Sequence, residues 1–405
     1  MKRRWNLLLL AAAVCMTCLG GGMTLAEERA EDAVKQTVTP EEFGGYPSDG
    51  EDDTEAFRQA LATGHILQLS KGAYELSAPL ALTEQSVLGA GSSATILSSS
   101  CGDKAQPILR LGGRCTVSDL TLQYGDKLVD WTEKEGERVA VWLGGEKPAD
   151  GSQLKNLRIT QVGTGIYAPD NENAGASRLL ADTLYIPDFS YRGVDLQKAG
   201  QVGNTFSNVY IGGKASLEIP RSAGFAAEGG EYNLVVDQLN LEHSIFDSAL
   251  LLRNCYGARL GSVHMEAVGQ AGPGTGSVRV ENADVFIDGI TMYYNPLDYP
   301  DCSIVELGDA GSGEGNRLVV GTLHLKGLNS VHPNNHAARE GGLNNPNARG
   351  FKVISRSAGA TGTYEVDIAA YVWYTWHGEQ EIYAAFPCDE SGIRYLSKGF
   401  DKGAA

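Results

Sequence analysis

The sequence predicts an all-β chain wound into a right-handed single-stranded parallel β-helix, with an N-terminal capping helix and a small C-terminal β region. Three observations predict it. A six-residue pattern, apolar, two polar or small residues, then apolar-x-apolar, recurs eight times. Most copies follow a second short apolar strand, and the 3.6-residue period of a helical solenoid is absent. With 405 residues, 42% of them hydrophobic and 20% charged, the chain has enough apolar material to build a large core.

The N-terminus comes first. Lys2, Arg3 and Arg4 precede an apolar run from Leu7 to Met16, and Thr24-Leu25-Ala26 offers a cleavage site. Residues 1–26 therefore read as a removed signal peptide, which makes the mature chain secreted and extracellular. The run falls short of the ~20 residues of a spanning helix, so no membrane insertion is expected after cleavage. Residues 27–38 read as a linker. Cleavage removes three basic residues and no acid, leaving 30 basic and 50 acidic side chains, a net of −20. That charge makes nucleic acid and anionic membranes poor partners, and it argues against a polyanionic substrate unless a local basic patch exists. Five cysteines remain (Cys101, Cys115, Cys255, Cys302, Cys388), an odd number without CxxC spacing, so buried free thiols are expected rather than a zinc site or a disulfide framework.

Residues 39–75 read as the N-terminal cap and first coil of a β-helix that continues to residue 326. Asp49-Gly50 is a turn, and Asp52 or Asp53 can cap a helix over residues 54–62 that plugs the open end of the core. These acids are expected to cap, not to hold metal. The hexads follow as Val117–Leu122, Leu154–Ile159, Ala181–Ile186, Phe206–Ile211, Val236–Leu241, Leu260–Met265, Ile287–Met292 and Val320–Leu325. No such unit can bury its own apolar face, so each must stack on the next, strand on strand, at ~4.8 Å. The third hexad position holds Asp119, Asn156, Thr183, Asn208, Gln238, Ser262, Gly289 and Thr322, small or polar residues suited to a left-handed bend and a coil-to-coil ladder.

Residues 39–97 resemble the N-terminal part of the pectate-lyase-like superfamily, in the branch shared by rhamnogalacturonases, polysaccharide epimerases and phage tailspike depolymerases. The resemblance rests on Phe43-Gly44-Gly45, Asp49-Gly50, Asp52-Asp53-Thr54, Ala56-Phe57, Ala60-Leu61, Leu67-Gln68-Leu69, Lys71-Gly72-x-Tyr74 and Leu88-Gly89-Ala90-Gly91. With the coils it spans roughly residues 39–325. It implies the β-helix fold and a polysaccharide partner; it does not fix an activity, since such folds host lyases, hydrolases, epimerases and binders.

Alternation within the last strand of each hexad generates two outward columns. The middle column runs Thr121, Arg158, Tyr185, Tyr210, Asn240, His264, Thr291, His324; beside it run Gln123, Thr160, Pro187, Gly212, Glu242, Glu266, Tyr293, Lys326. Rings stack on sugar faces and amides pair with hydroxyls, so Arg158, Tyr185, Tyr210, Asn240, His243, Tyr293 and His324 are the expected substrate-binding residues. Glu242 and Glu266 fall on adjacent coils. One protonated and one ionised carboxyl is what glycosidic cleavage uses, so these two are the first catalytic candidates, with His264 as an alternative base.

A second constellation rests on the resemblance. In polygalacturonase-type enzymes the catalytic aspartates begin the strand after the coil-closing turn, and Asp188, Arg192 and Asp247 hold similar places here. Asp247 joins the catalytic candidates and Arg192 the substrate-binding ones. The sequence departs from that family in lacking its Gly-His-Gly and Arg-x-Lys elements. No metal ligand set is read and no cofactor is required; calcium stays open, as does oligomeric state.

Residues 327–350, rich in Asn and Gly, read as a loop, and residues 351–405 as a C-terminal β cap carrying an aromatic cluster at Tyr371, Trp373, Tyr374, Trp376 and His377. Two classes of function follow: a secreted glycoside hydrolase or polysaccharide lyase working on the outer columns, or a non-catalytic carbohydrate-binding or cell-surface protein on the same scaffold.

Overall fold

The computed structural model describes residues 36–125, 127–213, 221–243, 245–266, 268–270, 276–293, 303–310, 316–326, 352–374 and 393–395. Residues 1–26, read as a signal peptide, and 327–350, read as a loop, lie outside them.

The hexads are strands, and they stack as their length requires. A seventeen-strand sheet carries them, and a ten-strand sheet carries the short apolar strands that precede them in each coil. The pairings that build these sheets are parallel and nearly in register. The chain is thus a right-handed parallel β-helix, with the second sheet contributing one strand to each of ten coils. Val117, Leu154, Ala181, Phe206, Val236, Leu260, Ile287, Val320 and Ile368 follow one another from coil to coil as direct neighbours. All are buried at 2% exposure or less, so one continuous apolar core runs the length of the stack. Each Leu, Ile or Phe so buried contributes roughly 1.5–3 kcal/mol.

The N-terminal plug forms over Thr54–Ala62. Ala56, Phe57, Ala60 and Leu61 face the core, and Phe57 meets Tyr74 edge-on at 5.2 Å. Asp52 accepts hydrogen bonds from the Thr54 amide and hydroxyl and from Ser77, while Asp53 accepts one from the Glu75 amide. The acid pair thus ties the cap to the first coil. Burial lifts the Asp53 carboxyl to about 6, whereas at Asp52 the hydrogen bonds outweigh burial and lower it to about 2.

Three sequence expectations need adjustment. Thr37–Val38, assigned to the linker, pairs with Ile66–Leu67, because Val38 has an apolar first coil to cover. The third hexad position is left-handed only in the early coils, at Asp119, Asn156, Thr183 and Asn208 (φ 49–61°), where the Asn156 amide donates to Asp119 at 2.7 Å. Gln238, Ser262, Gly289 and Thr322 do not adopt that conformation and sit within uninterrupted strands. Finally, the region read as a separate C-terminal cap continues the helix. Lys352–Arg356 pairs with Ser303–Leu307, and Tyr364–Tyr374 pairs with Arg317–Lys326, burying Val353, Ile354, Tyr364, Val366 and Ile368. Trp376 and His377 of the aromatic cluster fall outside the described residues.

Cys101, Cys115 and Cys255 are free and buried, as expected. The corner between the two sheets varies in length, while the strands on either side of it keep register with the preceding coil. A single residue, Gln161, joins Gln153–Thr160 to Val162–Ala168, whereas residues 125–138 join the strands Thr116–Tyr124 and Val139–Leu143.

Candidate functional site

Register determines the site. Arg158 pairs with Tyr185, Tyr185 with Tyr210, Tyr210 with Asn240, Asn240 with His264, His264 with Thr291, and Thr291 with His324. The neighbouring column sets Gly212 beside Glu242, Glu242 beside Glu266, and Glu266 beside Tyr293. These eleven residues, all in the columns read from the sequence, therefore share one face of the seventeen-strand sheet.

That face is a ladder of rings and charges. The Arg158 guanidinium lies 4.9 Å from the Tyr185 ring, which stacks on Tyr210 at 4.7 Å. Beyond the two glutamates, His264 and Tyr293 are 5.4 Å apart, and Tyr293 and His324 6.2 Å. Tyr185 is 40% exposed, so its ring is available to a ligand. At the N-terminal end the columns close: Thr121 and Thr160 are buried, Thr121 donating to the Ser92 carbonyl and Thr160 to Asp188 at 2.9 Å.

At the centre, one atom each of Glu242, His264 and Glu266 lie within 4.8 Å of one another. His264 Nε2 is 3.4 Å from Glu266 Oε2, and His243 Nε2 is 3.7 Å from Glu242 Oε2. The Tyr210 phenol donates to Glu242, and burial, Glu242 and Tyr185 together push that phenol above its ordinary range. Gly212 makes this contact feasible, since a Cβ there would stand 3.1 Å from the Tyr210 hydroxyl. Two carboxylates and an imidazole with an open side could also hold a divalent cation, the imidazole favouring zinc-like ions over calcium.

Arg192 and Asp247 lie elsewhere, on the second sheet and at its corner. Arg192 was expected to touch substrate, but it is fully buried, with Nη1 bonded to Asp195 at 2.7 Å and Glu228 at 2.5 Å. Those two acids hold it charged against burial. Burial pushes Asp195 up to about 6, opposed by Arg192; at Glu228 burial is outweighed by Arg192, Arg253 and Arg221, and its carboxyl falls below the usual range. Asp247 accepts the Arg221 amide at 2.5 Å. The sequence reading passed over Glu228, Arg253 and Arg279 here. Arg279 was within reach, because the alternation applied to the second sheet gives an outward column Trp142, Tyr167, Asp195, Ala226, Leu251, Arg279, Glu306.

Comparisons with known proteins bear on the fold. No protein-family model matches the chain, and no curated protein matches it. Solved structures do. The chain is similar to the catalytic domain of Agl-KA (13% identity, 89% of this chain and 68% of that one, TM-score 0.45). It is likewise similar to the catalytic unit of a GH87 α-1,3-glucanase from Streptomyces thermodiastaticus (15% identity, 84% and 70%, TM-score 0.44). A third is the mannuronan C-5 epimerase AlgE4 A-module of Azotobacter vinelandii (15% identity, 84% and 96%, TM-score 0.48). At such identities the likeness is one of fold.

Proposed function

We propose that the chain is a polysaccharide-cleaving enzyme whose glycan lies along the outer ladder from Arg158 to His324 and is cut at Glu242 and Glu266. The observation that carries this is the adjacency of the two glutamates, one atom of each within 4.8 Å, in the middle of a run of rings that starts at the exposed Tyr185 and continues through half-buried Tyr210, His264 and Tyr293. Carboxyls separated by about 5–5.5 Å suit a retaining glycosidase, while inversion needs about 6.5–9.5 Å.

Roles follow from the neighbours. Tyr210 donates to Glu242, which leaves that carboxylate an acceptor and fits it to attack the anomeric carbon. Glu266, with His264 at 3.4 Å, gives its proton to the departing glycosidic oxygen. Water then attacks the glycosyl ester, returning its proton to Glu266 and releasing Glu242. No metal is needed for these steps. Residues 1–26 are proposed to be cleaved on export, which a mature N-terminus at Glu27 in the secreted protein would bear out.

Glu242→Gln and Glu266→Gln, assayed separately on a panel of neutral and uronic glycans, test the reading. Loss of at least about 10³-fold in kcat is expected for each. A product absorbing near ~235 nm would instead mark a lyase, in which elimination leaves an unsaturated uronic acid. Activity surviving both changes would exclude the pair, and a wild-type protein that binds glycans without cutting any would make the chain a carbohydrate-binding scaffold.

A further inference from the structure

Large apolar side chains meet solvent at a second place, at the far end of the strands that carry the glutamates. Of the four large hydrophobic residues exposed among the described residues, Val202 and Tyr232 are register neighbours, each 45% exposed. Tyr232 pairs in turn with Tyr256, and the two rings stack at 5.5 Å with 28° between their planes. Tyr256 opens the strand Tyr256–Glu266 and Glu266 closes it, so ten residue steps, at most ~33 Å, separate this patch from the cleavage site.

The local sequence makes the patch stand out from the coil. Each of the three residues sits between two left-handed positions: Gly200 and Gly203 around Val202, Gly230 and Asn233 around Tyr232, Asn254 and Gly257 around Tyr256. The chain therefore bends sharply on both sides of a two-residue stretch. Its inner members, Gln201, Glu231 and Cys255, are buried, and its outer members face solvent. Asn282 donates to the Tyr256 hydroxyl at 2.9 Å and to Asn254 at 2.8 Å, and Asn254 donates to the Glu228 carbonyl at 3.0 Å. The Tyr256 ring is thus held in place before any ligand arrives, which lowers the ordering cost of binding. Asn233, beside Tyr232, is exposed, and its side chain makes no hydrogen bond among the described residues.

Size and charge select the occupant. Three side chains fall far below the ~20–30 residues a side of a stable protein interface, which disfavours a second copy or another protein. One coil before Val202 stands Arg178 and one coil after Tyr256 stands Asp284, one charge of each sign, so the patch favours neither anion nor cation. Tyrosine rings accept the C–H face of a pyranose, and a spare carboxamide pairs with its hydroxyls.

We propose that Val202, Tyr232, Tyr256 and Asn233 form a second, non-catalytic glycan-binding platform that takes neutral sugar chains. It goes beyond the cleavage reading and needs neither glutamate. A long chain held here and on the outer ladder together gains effective concentration at the ladder, which a short oligosaccharide cannot.

The test is affinity electrophoresis of the full-length Glu266→Gln protein in native gels cast with glucomannan, hydroxyethylcellulose or dextran, with polygalacturonate as the acidic comparison. Retardation by at least one neutral polymer is expected, about tenfold weaker in affinity after Tyr232→Ala and within about twofold of the parent after Tyr232→Phe, which keeps the ring. In a Tyr185→Ala background, which removes a ring of the outer ladder, the Tyr232-dependent retardation should persist. Because Tyr232 is exposed, its replacement should leave the circular dichroism melt unchanged, so that lost binding is not lost fold. Absence of retardation in all three neutral polymers, or Tyr232→Ala within about twofold of the parent, overturns the proposal. So does Tyr232-dependent retardation that is stronger in polygalacturonate than in any neutral polymer. A Tyr232-dependent dimer in sedimentation velocity would assign the patch to a second copy and overturn it as well. The two readings fail separately: cleavage that survives both glutamate changes removes the cleavage site, and the platform stands wherever retardation depends on Tyr232.

Discussion

Replacing Glu231 by Gln should make the protein more stable at pH 8 and leave it nearly unchanged at pH 5. Glu231 is fully buried, and among the described residues its two oxygens accept only the Asn204 amide, at 3.3 and 3.1 Å. Burial pushes its carboxyl up to about 8, against the Asn204 hydrogen bond, from an ordinary 4.5. An acid raised on folding binds its proton more tightly when native, so its contribution is fully present below pH ~4.5 and is lost as pH climbs to ~8. At ~1.4 kcal/mol per pH unit, the cost reaches roughly 4 kcal/mol at pH 8 and about 1 kcal/mol at pH 5. Glutamine keeps the shape of the protonated acid, including a donor where the acid carries O–H. Urea unfolding followed by circular dichroism at both pH values reads the difference, and the variant should gain about 3 kcal/mol between them relative to wild type. Asp53 and Asp195, each raised to about 6, leave a shallower common slope in both proteins. Parallel pH profiles would refute the reasoning.

Four further outcomes are expected. Gly212→Ala places a methyl 3.1 Å from the Tyr210 hydroxyl and should lower kcat about tenfold with little change in KM, as should Tyr210→Phe, with melting temperature unchanged. Micromolar Zn²⁺ should inhibit by occupying Glu242, His264 and Glu266, whereas EDTA should leave activity intact; loss of activity in EDTA would show that the cluster works through a metal. Phe225→Ala empties a fully buried site where the ring meets Phe206 at 5.1 Å, and should cost about 3–5 kcal/mol in urea unfolding. Asn156→Val forces a β-branched residue to φ 49° and removes the hydrogen bond to Asp119, for a loss of about 2–3 kcal/mol.

Much of this architecture is legible in the sequence because the hexad states its own register. Once Val236 is laid on Leu260, Glu242 must fall beside Glu266, and the pairing is as the pattern requires. The cap helix was equally readable, since Ala56, Phe57, Ala60 and Leu61 repeat at helical spacing behind two turn-forming acids. Arg192 was not. Its burial comes from Asp195 and Glu228, and the latter is thirty-six residues away, reached only through the next coil of the second sheet. The loss of left-handed bends after Asn208 was also hidden, because Gln238 and Ser262 are polar enough for a bend yet neutral enough for a strand. The C-terminal strands were visible as strands, but the poorly patterned residues 327–350 masked their continuity with the stack.

The corner joining the two sheets separates two jobs. Gln161 closes it in a single residue and residues 125–138 take fourteen, yet Gln153–Thr160 stays in register with the preceding coil and so does Val162–Ala168, while a one-residue shift between Val162 and Thr164 falls against the following coil. Insertions at that vertex therefore cost little in stability and leave the ruler of side chains untouched. A lineage could re-aim such a protein at another polymer by splicing new walls there, one rung at a time, without redesigning the spine that holds them.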